Sequence, residues 1–179
     1  MNTDKWTIKI DEITKDFQET FGMLTIDQLN RKPNEQTWSI AQNIDHLIVI
    51  NESYKPVIAS IRQGTYQLPF IARIRFMVNF LGKMVLGAVT PDRRKKMKTF
   101  PIWEPTKGQL KLDILDRFVK HQIELKAMII GCKDLLENGA VISSPANKNI
   151  VYKLETAFDI IVTHETRHLE QAKEILPFL

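Results

Sequence analysis

Apolar residues recur every three or four positions along four long stretches of the chain. That spacing lines one face of an α-helix turning every 3.6 residues. The first stretch covers residues 8–29, with Ile10, Ile13, Phe17, Phe21 and Leu24 in phase. The second covers 39–62 and carries Ile40, Ile44, Leu47, Ile48, Tyr54, Ile58 and Ile61; Thr37 or Ser39 can cap its start, and Gly64 follows its end. The third covers 107–136, with Ile114, Leu115, Phe118, Leu125, Met128 and Ile129, and Asn138-Gly139 stops it. The fourth covers 150–176, with Leu154, Phe158, Ile161, Leu169, Ala172 and Leu176, closed by Pro177. Residues 139–148, with Ser143, Ser144, Pro145 and Asn147, read as a turn. No alternating run bounded by hairpin turns stands out, so no strand is predicted.

Between the second and third helices, residues 70–86 predict one or two short helices. Residues 90–105, with three prolines, predict an irregular loop. The expected fold is therefore all-α, a four-helix bundle with a long crossover between helices 2 and 3. At 179 residues the chain is expected to form a single domain over residues 1–179.

Charge and composition narrow the setting. Residues 68–89 are the longest apolar stretch, but Arg73, Arg75 and Lys83 lie inside it. Each would cost about 2.5–3.5 kcal/mol at a bilayer centre, which argues against a span, and no membrane partner is expected. The N-terminus lacks the continuous apolar core of a signal peptide, and a single cysteine, Cys132, excludes an internal disulfide; both suit a cytoplasmic protein. The net charge is +4, and much of it sits in Arg93, Arg94, Lys95, Lys96 and Lys98. That run lacks interleaved aromatics and a recognition helix. It reads as a solvated loop or an anionic-substrate guide rather than a nucleic-acid contact.

The chemistry concentrates on histidines. At 100° per residue, His164 and His168 share the core-facing side of the fourth helix with Ala157, Ile161 and Ile175. His46 lies at the edge of the second helix's apolar stripe, near Ile50 and Val57. Three imidazoles from two helices make a metal site with open positions, and they suit zinc, nickel, iron or copper. The pair on the fourth helix is equally compatible with histidines hydrogen-bonded inside the core. Residues 164–168 also match H-E-x-x-H, in which a zinc protease uses the glutamate as base. No histidine follows it and no sheet edge is predicted to hold a peptide, so the protease reading is set aside. Glu165 stays a candidate to orient or deprotonate a water, against an ion pair with Arg167 or Lys148. His121, beside Phe118 and Leu125, is read as a buried hydrogen-bonded residue or a further ligand. Cys132 sits in an apolar run and makes a poor nucleophile.

The segment Thr37-Trp38-Ser39-Ile40-Ala41-Gln42-Asn43-Ile44-Asp45-His46-Leu47 resembles the signature of the DinB-like superfamily. The closing His164-Glu165-Thr166-Arg167-His168-Leu169-Glu170-Gln171 resembles that family's last helix. The resemblance implies a four-helix bundle, a divalent metal on His46, His164 and His168, and a homodimer. The expected ion is zinc or nickel first, iron or manganese next. Some relatives of this kind are thiol S-transferases that use bacillithiol or mycothiol, one branch includes a maleylpyruvate isomerase, and others are classed as metal-dependent hydrolases. The stretch 69–105 departs from the family pattern and is a candidate lid, dimer contact or anion-binding segment.

Trp38 is read as a packing anchor, and Gln42, Asn43 and Gln171 as partners that orient the imidazoles. The expected activity is transfer of a small thiol, used as cosubstrate, to a small molecule. The alternatives are hydrolysis by a metal-bound water and a non-catalytic, stress-related binding module.

Overall fold

The computed structural model describes residues 2–92 and 99–179; the basic run Arg93, Arg94, Lys95, Lys96 and Lys98 lies outside them. The helices are α1 (Asp4–Phe21), α2 (Ile26–Asn30), α3 (Ile40–Glu52), α4 (Tyr54–Arg62), α5 (Arg75–Ala88), α6 (Ile114–Gly131), α7 (Lys133–Glu137) and α8 (Leu154–Lys173). Strands β1 (Val141–Ser144) and β2 (Asn147–Lys153) precede α8. The four-helix bundle consists of α1, α3, α6 and α8, as the periodicity predicts. α1 and α3 each pack on both α6 and α8, so α1 and α3 occupy one diagonal and α6 and α8 the other.

The core follows the predicted stripes. Ile10, Phe17, Phe21, Ile44, Leu47, Phe118, Ile129 and Phe158 are fully buried. Phe17 tilts against Phe118 at 4.7 Å between ring centres, and Trp6 meets Phe158 edge-on at 5.3 Å. Trp6 also donates from Nε1 to Asp159 at 2.8 Å, which satisfies its one polar atom.

Three of the four predicted long helices are interrupted, and each break has a local cause. α1 ends at Gly22, and a new helix starts at Thr25, whose hydroxyl accepts from the Gln28 amide while the Gln28 side chain caps Thr25 in return. The second helix divides at Ser53. Pro56 has no N–H for the Glu52 carbonyl, and its ring crowds that carbonyl. The third begins at Ile114 rather than 107. Leu110 instead exchanges two hydrogen bonds with the Asn30 side chain, at 2.7 and 2.8 Å, which ties the approach to α2. It also divides at Cys132, and α7 then ends before Gly139, whose φ of +64° suits glycine.

The largest departure precedes the fourth helix. Residues 139–148 are not only a turn: β1 and β2 form an antiparallel hairpin pairing Val141 with Lys153, Ile142 with Tyr152 and Ser143 with Val151, and the register shifts after Ser143. Ile150, Val151 and Tyr152 continue the fourth stripe in sequence, yet their branched and aromatic side chains also suit a pleated surface. The hairpin gives α5 a platform, because α5 packs on β2 and α8. The expected helix within 70–86 is thus present. Gly82 permits the close approach: a Cβ there would lie 3.1 Å from both Thr156 Cγ2 and Tyr152 Cβ.

Replacing Gly82 with Val is expected to lower the unfolding free energy by about 1–3 kcal/mol through overpacking, with a smaller loss for Gly82→Ala. Urea denaturation followed by circular dichroism measures it; an unchanged midpoint for Gly82→Val would mean that α5 does not sit on the hairpin as described.

Candidate metal centre

Local structure at the start of α3 sets the first part of the site. Ser39 caps the helix, its hydroxyl accepting from the Gln42 amide at 3.1 Å while the Gln42 side chain accepts from the Ser39 amide at 3.2 Å. Gln42, expected to orient an imidazole, therefore serves as part of the cap. One turn into the helix, Asn43 donates from Nδ2 to the Ser39 carbonyl at 2.9 Å. That bond fixes which way the amide points and turns Oδ1 towards α8. There it accepts from His168 Nδ1 at 2.7 Å.

His46 is held from the crossover. Its Nδ1 donates to the Trp103 carbonyl at 2.5 Å. Trp103 closes a short 3₁₀ turn (Pro101–Trp103), and two anchors keep it in place. Its indole Nε1 donates to Ser53 Oγ at 3.2 Å, and the amide of Thr106 donates to Asp45 Oδ2 at 2.8 Å. Asp45 is itself buried, with Arg117 at 3.6 Å from its other oxygen. Adjacent residues on α3 thus hold the strap and receive its carbonyl.

With Nδ1–H of His46 and His168 committed to oxygen acceptors, each Nε2 is a bare lone pair. Nε2 of His168 lies 3.0 Å from Nε2 of His164, one turn away on α8. One nitrogen from each of His46, His164 and His168 lies within 4.8 Å of the other two. His46 and His168 are buried, and His164 is partly exposed. Trp38 covers the group, its ring 4.6 Å from that of His46 and stacked on that of His168 at 5.9 Å. Among the described residues these three form the sole such group of histidine, cysteine and acidic side chains.

Electrostatics agree with neutral ligands. Burial lowers the His46 pKa from 6.5 to about 4, against opposing effects of the Trp103 carbonyl and Asp45. Burial, followed by the neighbouring imidazoles and Arg167, holds His164 and His168 well below the usual range. Three uncharged imidazoles, two of them with Nε2 lone pairs left free by their Nδ1 hydrogen bonds, are donors suited to a divalent cation.

Glu165 follows a different direction. One residue past His164, its side chain turns into the bundle centre and is fully buried. Oε1 accepts from Asn51 Nδ2 on α3 at 2.7 Å, and Oε2 accepts from Gln122 Nε2 on α6 at 2.9 Å. Burial raises its pKa from 4.5 to about 7, with the two amides opposing. The carboxylate therefore does not converge with the three imidazoles, and its partners are neither Arg167 nor Lys148. His121 is buried with Nδ1 2.9 Å from Glu52, outside the imidazole group. Gln171 makes no hydrogen bond to an imidazole among the described residues. Cys132 is buried, and desolvation pushes its thiol up to about 11.

The Trp103 carbonyl went unforeseen. No side-chain pattern signals a backbone acceptor arriving from a proline-rich crossover. Trp38 packs as the sequence predicts, and the surface it packs on is imidazole.

The geometry can be set beside known proteins. The family model of the DinB superfamily matches residues 9–172. The chain belongs to the DinB superfamily. Among solved structures it is similar to YfiT from Bacillus subtilis, described as a probable metal-dependent hydrolase with an unusual four-helix bundle topology. The two share 18% identity and a TM-score of 0.59 over 98% of this chain and 86% of that one, a likeness of fold. No functionally curated protein matches the chain.

Buried titrating groups set a pH dependence of the metal-free protein. Below pH about 6.5 the unfolded chain protonates its imidazoles while the folded state resists. The unfolded state then binds more protons, so stability falls as pH drops from about 6.5 towards about 4. Glu165 acts oppositely: its contribution is fully present below 4.5 and is lost as pH rises through about 7. Glu165→Gln should therefore steepen the rise of stability between pH 4.5 and 6.5 by up to about 1.4 kcal/mol per pH unit. Urea titrations in chelator at fixed pH test this; equal slopes in wild type and variant would argue against a folded state that keeps Glu165 protonated.

Proposed function

We propose that His46, His164 and His168 hold one divalent metal ion, and that the protein is a metal-dependent transferase joining a small thiol to a small electrophilic substrate. The observation that carries the metal site is the pair of fixed acceptors behind His46 and His168, which turns their Nε2 lone pairs inward. A divalent ion bound there supplies a Lewis acid that lowers the pKa of a nucleophile towards neutrality. Zinc or nickel suits the three-imidazole set, with iron or manganese next.

Glu165 supports thiol over water as the nucleophile. Both its oxygens are engaged by amides inside the bundle, so the carboxylate of the H-E-x-x-H segment is not free to take a proton from water. A thiol, ordinarily titrating near about 8.5, needs far less help to ionise. In this reading the thiol's proton leaves to solvent, sulfur bonds to the electrophilic carbon, and the leaving group departs with the electron pair of its old bond. Asn43 and the Trp103 carbonyl keep the imidazoles oriented, Trp38 keeps water from the buried side, and the partly exposed edge of His164 marks the approach. The reading includes the homodimer that the family resemblance implies and the cytoplasmic location that the N-terminus and the single cysteine suit.

Hydrolysis is the second reading, favoured by the description of YfiT as a probable metal-dependent hydrolase. It requires Glu165 as base. A non-catalytic binding module is the third, in which removing the metal alters stability alone.

Mass-spectrometric metal analysis of untagged protein is the first test. The wild type is expected to carry about one ion per chain, and His46→Ala with His168→Ala to carry almost none. Asn43→Leu should weaken metal affinity about 10- to 100-fold, since it frees the His168 ring. A wild type that stays empty after reconstitution with zinc, nickel and manganese would overturn the site. Glu165→Gln then separates the reactions: thiol transfer should persist within a few-fold, whereas hydrolysis should fall about 100-fold or more.

A further inference from the structure

Helix α5 presents a large apolar face that the bundle does not use. Phe76, Phe80 and Met84 follow one another at a helical turn's spacing along its outward side, and the Phe76 and Phe80 rings stack at 6.0 Å. Phe76 is 71% exposed, Phe80 51% and Met84 47%. Phe70, 73% exposed, and Ile74 extend the apolar surface through the preceding 3₁₀ turn (Phe70–Arg73). The inward side, with Val78 and Gly82, is buried against the hairpin and α8. Exposed apolar area of this kind, concentrated on one element, marks a contact surface.

Cations flank it, with Glu155 and Asp159 sharing a cavity with Lys83 on the side of α8. Arg75 and Lys83 project from the flank of the same helix, and Arg73 lies 5.9 Å from the Phe70 ring centre. None of the three forms an ion pair with a carboxylate among the described residues. In the sequence, residues 68–100 carry eight basic residues and one acid, Asp92, which leaves the remainder of the chain net acidic.

We propose that α5 and the turn before it dock on a lipid surface bearing anionic headgroups. Phe70, Phe76, Phe80 and Met84 enter the boundary between headgroups and acyl chains, while Arg73, Arg75 and Lys83 stay among the phosphates. The helix lies along the surface rather than across the bilayer. Its 14 residues rise about 21 Å against a hydrocarbon core of about 30 Å, and no described helix is long and apolar enough to cross. Cations within the stretch argue against a span but favour an anionic surface. A second copy fits this face less well, because Arg73 and Arg75, beside the exposed phenylalanines, would meet their own counterparts across a two-fold contact. The docked helix also reaches the candidate site, since Arg167, beside His168, donates to the Ala88 carbonyl at the end of α5 at 2.9 Å.

Co-sedimentation of the full chain with vesicles tests the proposal, using phosphatidylcholine alone and phosphatidylcholine mixed equally with phosphatidylglycerol. Binding to the mixed vesicles at low salt is expected, with at least about tenfold less to phosphatidylcholine alone. Phe76→Ser with Phe80→Ser should cut binding about tenfold or more, with the helical circular dichroism signal and metal content unchanged. Arg73→Glu, Arg75→Glu and Lys83→Glu together should remove the preference for anionic lipid. The proposal is overturned if the wild type ignores anionic vesicles, or if Phe76→Ser with Phe80→Ser binds as well as wild type, which would leave charge alone. It is also overturned if sedimentation equilibrium shows a dimer that the phenylalanine variant dissolves while vesicles remain unbound.

Discussion

Two hydrogen bonds from imidazole Nδ1 atoms to fixed oxygens decide how this site is used. A neutral histidine carries one proton and one lone pair, and the acceptor it meets determines which nitrogen keeps which. Here the acceptors are themselves held. The Ser39 carbonyl sets the Asn43 amide, which receives His168. Asp45 and Ser53 pin the strap whose Trp103 carbonyl receives His46. The cap of one helix and the end of a crossover thereby orient lone pairs several residues away. With its Nδ1–H given to Asn43, His168 can only offer a lone pair at Nε2, to His164 Nε2 3.0 Å away or to a cation.

The bundle centre holds a second polar arrangement with a different purpose. Glu165 joins Asn51 and Gln122, so one carboxyl links α8 to both α3 and α6, including the helix on its own diagonal. Burying a carboxylate costs several kcal/mol, a cost lowered by amide donors and by partial protonation at neutral pH. Such a cross-link fixes the rotation of α8 about its axis, and rotation of α8 is what sets the directions of His164 and His168. The H-E-x-x-H segment thus serves two faces of one helix: His164 and His168 meet His46, and Glu165 turns into the bundle centre.

Much of this was legible in the residues. The three- and four-residue recurrence located the bundle helices and most of the core, because burial of one face is what the period encodes. The i, i+4 histidines and His46 were legible as a group because helix geometry and the family motif agree. Helix ends were less so. Pro56 and Gly22 act within one turn, and their effect disappears in a stripe counted over twenty residues. The hairpin was missed because Ile150, Val151 and Tyr152 keep the apolar phase of the helix that follows, and their pairing with Val141 and Ile142 is a tertiary fact. The inward turn of Glu165 depends on donors from two other helices, Asn51 and Gln122, which no local pattern joins to it.

The solitary cysteine gains meaning from its location. Cys132 lies where α6 gives way to α7, packed in the core, with its thiol titrating near about 11. At neutral pH only about one molecule in ten thousand would hold it as thiolate. An accessible thiolate would be open to exchange with any disulfide it met. By withdrawing its one sulfhydryl into apolar surroundings, the fold keeps the polypeptide inert towards thiol–disulfide exchange, so that an oxidising change around it leaves the chain unmodified.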